Sequence, residues 1–158
     1  MNSVARIAAN RRSNTNGQSS VRNLLPCVVT AIVHGQVHAE VGLLVNERTV
    51  IDAMVSNSGI EALDIHPGGR VLALIKATFV TLFSAQPGLT LAERNTIGGR
   101  VTEIVRGTVQ SEVVVDIGGG REIAAVITTC SLDSMNLSPG TEVLACFNPS
   151  NIMLAVED

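Results

Sequence analysis

The sequence predicts an all-β chain folded as two tandem small barrels, and three observations carry that prediction. First, an offset of 72 positions lays residues 22–82 on 94–154 without a gap. Identities run from end to end: Arg22/Arg94, Asn23/Asn95, Val29/Val101, Ile32/Ile104, Gly35/Gly107, Glu40/Glu112, Ala53/Ala125, Pro67/Pro139 and Val71/Val143. Matches spread over a whole unit mark a duplicated fold rather than a shared motif. Second, apolar and polar residues alternate with the period of half-buried strands. Third, Gly, Pro and Asn punctuate the chain at the spacing of short strands.

The elements of each unit follow in order. Val28 to Val33 is a β-branched run, and Gly35 or Gly107 then permits a turn. Val37, Ala39, Val41 and Leu43 alternate with His38, Glu40 and Gly42; Val109, Ser111, Val113 and Val115 repeat the pattern in the second copy. Gly118-Gly119-Gly120 makes a hairpin turn, with Asn46-Glu47 at the matching place. A third strand covers Thr49 to Val55, or Glu122 to Ile127. A helical turn follows at Gly59–Leu63 or Ser131–Met135, with Ser56-Asn57-Ser58 or Thr128-Thr129 as capping residues. Pro67-Gly68 and Pro139-Gly140 turn the chain into a fourth strand, Val71–Ile75 or Val143–Phe147. A short fifth is expected at Phe79–Leu82 and Asn151–Leu154. Five short strands and one helical turn suggest a Greek-key barrel of OB type. The domains are then 20–84 and 92–157, joined by a linker at 85–91 around Gln86-Pro87-Gly88. Residues 1–19, rich in Asn, Ser and Arg and without periodicity, read as a disordered tail.

Composition sets bounds on function. The hydrophobic fraction is 46%, yet the aromatics are three Phe with no Trp or Tyr, so Val, Ile, Leu and Ala must fill the cores. A barrel of ~65 residues buries little of its own surface and gains by packing against another or by oligomerising. Arg6, Arg11 and Arg12 lie in the tail, where there is no acid; the remainder holds eight bases against fourteen acids. An acidic body with so few aromatics argues against a nucleic-acid groove. Three cysteines without a CxxC pair, no apolar run approaching the ~18 residues of a membrane span, and no signal-peptide core point to the cytoplasm.

No catalytic or nucleotide motif appears: there is no GxSxG, P-loop or dinucleotide fingerprint, and Gly118-Gly119-Gly120 is followed by a strand, not a helix. His34 and His38 have metal-ligand spacing but flank a strand turn, and Arg106 and Gln110 replace them in the second copy. His66 precedes Pro67 in a turn. Glu40 and Glu112 lack a partner for acid–base work. Three segments are more telling: Ser20-Val21-Arg22-Asn23, Ser56-Asn57-Ser58 and Lys76-Ala77-Thr78. Together they offer a guanidinium, the only lysine of the chain, hydroxyls and main-chain N–H groups, which are the components of an oxyanion site.

These segments resemble the S-x-R-N, T-N-E-S and K-A-S-S signatures of Mop (TOBE-type) domains, the molybdate-binding or molybdenum-pterin-binding modules. In the second copy Arg94-Asn95, Arg106-Gly107, Ser111-Glu112-Val113 and Ala125 to Thr128 fit the same pattern. The resemblance implies a cytoplasmic, non-enzymatic protein that binds molybdate, with tungstate as an analogue, for storage, homeostasis or sensing. It implies a homo-oligomer, dimer or trimer, with sites at interfaces. Ser20 and Arg22 would stand on one side of each site, and Ser56, Ser58, Lys76, Ala77 and Thr78 on the other. Second sites would use Arg94, Thr128 and Ser131. Departures fall at Gly59, where the family often has Ser and Ser58 is the substitute, at Ala92 in place of the first Ser, and at Asn148 in place of Lys. The stretch 145–152 is similar to the second unit of molybdate-responsive regulators. The alternatives are therefore the ligand-sensing module of such a regulator without its DNA-binding domain, or a regulatory module of a molybdate transporter ATPase.

Overall fold

The computed structural model describes residues 21–85 and 90–157; the expected tail, Ser20 and the centre of the linker lie outside them. The first copy runs β1 (Asn23–His34), β2 (His38–Leu44), β3 (Val50–Ser56), α1 (Asn57–Ala62), β4 (Arg70–Ile75), a 3₁₀ turn (Ala77–Phe79) and β5 (Thr81–Ser84). The second runs β6 (Asn95–Val105), β7 (Gln110–Gly118), β8 (Arg121–Thr128), α2 (Thr129–Ser134), β9 (Glu142–Phe147), a second 3₁₀ turn (Pro149–Asn151) and β10 (Ile152–Ala155). The all-β, OB-like class read from the sequence is the observed one.

The alternation works as expected. On β2, Ala39, Val41 and Leu43 are buried while their neighbours are not, so one face of the strand supplies core. Leu25, Val29, Val41, Leu43, Ile51 and Ile75 fill the first core, and Val101, Val113, Val115, Ile123 and Val143 the second. Aliphatic packing of this kind needs no aromatic. β1 and β6 each break register against their hairpin partner at the same place, between Val29 and Ala31 and between Val101 and Glu103, a bulge that bends a long strand around a small barrel. The three glycines 118–120 all have positive φ, 90°, 63° and 74°, a run that a residue with a Cβ adopts only under strain. The first copy turns the same corner differently: Asn46 Oδ1 accepts from the backbone N–H of Arg48 (3.0 Å) and of Thr49 (2.9 Å).

Several boundaries differ from the sequence reading; the short helices are Asn57–Ala62 and Thr129–Ser134, each starting two residues ahead of the expected turn because Ser56 and Thr128 are the caps. β1 starts at Asn23, ahead of the expected Val28, and passes through Pro26. Proline is tolerated there because β1 pairs only with β4 at that point, and the β2 ladder begins at Val28. The fifth strands start at Thr81 and Ile152, because the residues before them coil into the 3₁₀ turns.

The larger difference is in which strands pair. The sheets have the orders β10-β4-β1-β2-β3 and β5-β9-β6-β7-β8. Each fifth strand thus pairs with the fourth strand of the other repeat: Ile152↔Ile75 through Ala155↔Leu72, and Thr81↔Cys146 through Ser84↔Val143. The compact units are accordingly not the sequence repeats. Unit 1 ends at Lys76 and resumes at Pro149; unit 2 spans Ala77–Asn148. In unit 1 the barrel closes where β3 packs on β10 and its 3₁₀ turn, and in unit 2 where β8 packs on β5 and its 3₁₀ turn. Among the described residues no helix is long and apolar enough to cross a membrane.

Candidate functional site

The β1/β4 ladder ends with the pair Asn23↔Ile75. One step further along the same register, just beyond the ends of these neighbouring strands, stand Arg22 and Lys76, at the same end of unit 1. The corresponding ladder of unit 2 ends with Asn95↔Phe147, so the same step there sets Arg94 beside Asn148. Two cationic side chains thus share a strand end in one unit and a single one occupies it in the other. The Arg22 side chain is half-buried and its Nη1 is shielded from solvent, whereas Lys76 and Arg94 are exposed.

Directly inside these cations lie two polar residues that the sequence reading named within its segments but gave no role, Asn23 and Asn95. Asn23 is 0% exposed and Asn95 1%. A buried amide requires hydrogen-bonding partners, so the same buried amide in both copies marks a position where the barrel end is polar by construction. The signal was present in the matched Arg-Asn dipeptides, but an Asn beside an Arg at a strand entry reads equally well as solvated.

The hydroxyl residues cap the two short helices. Ser56 Oγ accepts from the Gly59 N–H at 3.1 Å, and Ser58 Oγ donates to Ser56 Oγ at 3.3 Å. In unit 2, Thr128 Oγ1 accepts from the Ser131 N–H at 3.1 Å and donates to Ser131 Oγ at 2.8 Å. Each helix start therefore presents a paired hydroxyl, Ser56 with Ser58 in unit 1 and Thr128 with Ser131 in unit 2. Each start is also clamped to its hairpin. Asn57 donates from Nδ2 to the Gly35 carbonyl (2.9 Å) and its Oδ1 lies 3.0 Å from His34 Nδ1. Thr129 Oγ1 donates to the Gly107 carbonyl (2.8 Å), while Arg106 holds Asp133 with two parallel bonds of 2.7 and 2.8 Å. The hydrogen bond from Arg106 keeps the Asp133 carboxyl below the usual carboxylate range, and the same bond raises Arg106. His34 is thus a hairpin-to-helix contact, and among the described residues no group of three or more His, Cys, Asp or Glu could hold a metal ion.

The strand exchange redistributes the remaining candidates. Ala77 is buried and Thr78 exposed in the first 3₁₀ turn, which packs against β8 in unit 2. They therefore share a unit with Arg94, Thr128 and Ser131, whereas Lys76, their neighbour in sequence, belongs to unit 1 with Arg22, Ser56 and Ser58. Sequence contiguity had grouped Lys76-Ala77-Thr78 as one segment; the chain leaves unit 1 between Lys76 and Ala77.

A duplicated OB-like barrel with a cation-bearing strand end and a hydroxyl-capped helical turn defines a class, and the comparison with known proteins gives it a family. The TOBE domain family matches residues 19–82 and 92–154, and the chain belongs to it, carrying two copies. Among its relatives are the molybdenum-pterin-binding protein MopB of Rhodobacter capsulatus, 34% identical over 139 residues (88% of this chain, 52% of MopB), and the molybdenum transport protein ModE of Azotobacter vinelandii, 33% identical over 139 residues (88% and 51%). The chain spans about half the length of these curated relatives. The crystal structure of the cytoplasmic molybdate-binding protein ModG with molybdate bound superposes with a TM-score of 0.84 at 32% identity, covering 89% of this chain and 99% of that one.

Proposed function

We propose that the chain binds molybdate, and tungstate as its analogue, as a cytoplasmic oxyanion-binding protein of molybdenum storage, homeostasis or sensing, with no catalytic step. The observation that carries this reading is the register that brings Arg22 and Lys76 to one strand end, in a chain that matches molybdate-binding ModG over nearly the full length of both. Molybdate is a tetrahedral dianion whose four oxygens need donors on all sides. Two cations offset its charge, and hydroxyls such as those of Ser56 and Ser58, with Ser20 at the entry to the first copy, fix its orientation. The body of the protein is acidic, so attraction has to come from these few donors rather than from the overall field. Sulfate carries the same charge in a smaller shell. A rigid barrel end selects by cavity size, and tungstate, of molybdate's size, should bind comparably.

The unit 1 set is the strong site. Arg94, Thr128 and Ser131, joined by Ala77 and Thr78, form a weaker one, because Asn148 brings no charge. We further propose that copies of the chain assemble as a homo-oligomer and complete each donor shell at an interface, since a single strand end covers only one side of a tetrahedral ion. A second reading, the ligand-sensing part of a molybdate-responsive regulator, draws on the match to half of ModE; it keeps the same site and changes only what occupancy is coupled to.

Charge-assisted hydrogen bonds of this kind contribute about 1.5–3 kcal/mol each. Lys76→Ala and Arg22→Ala are therefore expected to weaken molybdate binding by roughly tenfold to a hundredfold while leaving the thermal melt in place. Titration calorimetry on both variants tests this, and unchanged affinity in the pair refutes the site.

A further inference from the structure

We propose that Ser150, on the second 3₁₀ turn, is a hydroxyl ligand of the Arg22/Lys76 anion site, in the role that sequence contiguity gives to Thr78. The inference rests on the proposed oxyanion function and adds a residue to its strong site.

Three observations lead to it. β10 pairs with β4 through Ile152↔Ile75, and Lys76 follows Ile75 directly. The 3₁₀ turn Pro149–Asn151 precedes Ile152, so it lies at the end of β4 that carries Lys76 and, across the next ladder, Arg22. The same turn packs against β3, the strand that ends in Ser56 and leads into α1. It thus neighbours both the cationic strand end and the strand that leads into the hydroxyl-capped helix, all within unit 1. Within the turn, Pro149 is buried and Ser150 exposed: the proline anchors the turn to the barrel and the serine is left at its surface. By the repeat offset Ser150 corresponds to Thr78, and the exchange sends Thr78 to unit 2, against β8. The two hydroxyls trade places, and each serves the site of the other repeat.

The test uses the full-length chain and equilibrium dialysis against molybdate, with Ser150→Ala, Ser150→Thr, Thr78→Ala and Lys76→Ala compared with the unsubstituted protein. Thermal melts confirm that each is folded. Ser150→Ala is expected to raise the Kd of the Lys76-dependent site by roughly tenfold to a hundredfold. Ser150→Thr, which keeps the hydroxyl, should restore it, and Thr78→Ala should weaken only the unit 2 site, leaving the Kd of the Lys76-dependent site in place. If Thr78→Ala weakens the Lys76-dependent site while Ser150→Ala does not, the assignment is overturned and the oxyanion function stands. If the unsubstituted chain retains no molybdate, the function itself falls and the assignment with it.

Discussion

Exchange of the fifth strands makes a prediction that a contiguous pair of barrels would reverse. Ile152 on β10 is 3% exposed and packs in unit 1, although it belongs to the second repeat. Truncating a buried Ile to Ala costs about 2–5 kcal/mol, and at about 1.4 kcal/mol per decade the lower figure corresponds to roughly a 30-fold rise in the open population. Two native thiols report where the opening occurs. Cys27 on β1 lies in unit 1 and Cys146 on β9 in unit 2, each 4% exposed, whereas Cys130 is exposed. Burial also raises the Cys146 thiol, which keeps it in its unreactive protonated form until its barrel opens. In a Cys130→Ser background, iodoacetamide labelling followed by peptide mass spectrometry reads the two sites separately. Ile152→Ala should accelerate Cys27 by about 30-fold or more relative to Cys146. Leu82→Ala on β5, at a position 6% exposed, should do the opposite. If Ile152→Ala exposes Cys146 instead, the strands are not exchanged. Equal acceleration of both thiols would mean that the units do not open separately.

Two further outcomes follow from the local geometry. A Cβ at Gly99 would come 2.5 Å from Val115 Cγ1 and 2.6 Å from the Asp116 carbonyl, while one at Gly98 meets only Leu144 Cδ2 at 3.9 Å. Gly99→Ala should therefore destabilise by about 1–3 kcal/mol and Gly98→Ala should not, as compared by urea midpoints. The Arg106–Asp133 pair, with side chains 58% and 57% exposed, lowers the folded-state pKa of Asp133. Its contribution is present above the ordinary carboxylate range and disappears as pH falls through the lowered value. The gap in urea midpoint between wild type and Asp133→Asn should accordingly be present at neutral pH, close on acidification, and shrink in high salt.

What was legible in the sequence was whatever a residue fixes through its own backbone or its immediate neighbours. Ser56 and Thr128 could be read as helix caps because an N-cap needs a side-chain acceptor three residues before an unsatisfied N–H, and both sit at that spacing. The glycine hairpin was readable because three consecutive residues with positive φ strongly favour glycine. The pairing of β5 and β10 was not, and the reason is the duplication itself. Leu82 and Leu154 occupy matched positions, and the edges offered by Val71–Ile75 and Val143–Phe147 share Val, Leu and Ala in the same order. Either fifth strand therefore satisfies either edge in register and hydrophobic pattern, and only the path of the chain decides between them. The candidate site inherited the same ambiguity: Arg22, Lys76 and the caps were legible as residue types, but the company each keeps depends on the exchange.

That dependence changes how the divergence between the repeats should be understood. Compared repeat with repeat, the second copy has Asn148 in place of Lys76, and Ser150-Asn151 where the first has Thr78-Phe79, so that the polarity differs at Phe79/Asn151. Compared unit with unit, these differences fall on opposite sides. The polar turn joins the barrel that kept both cations, and the turn carrying Phe79, which is 43% exposed, joins the barrel that kept one. At these positions the differences add up in space: Lys76 and Asn151 both fall in unit 1 while Asn148 and Phe79 fall in unit 2; at the helix start the balance runs the other way, with Gly59 in unit 1 against Ser131 in unit 2. A duplicated domain that retains its own strands can specialise only by changes within one copy. With exchanged strands, a change in either copy can enrich the same barrel end, as Lys76 of the first copy and Asn151 of the second do here.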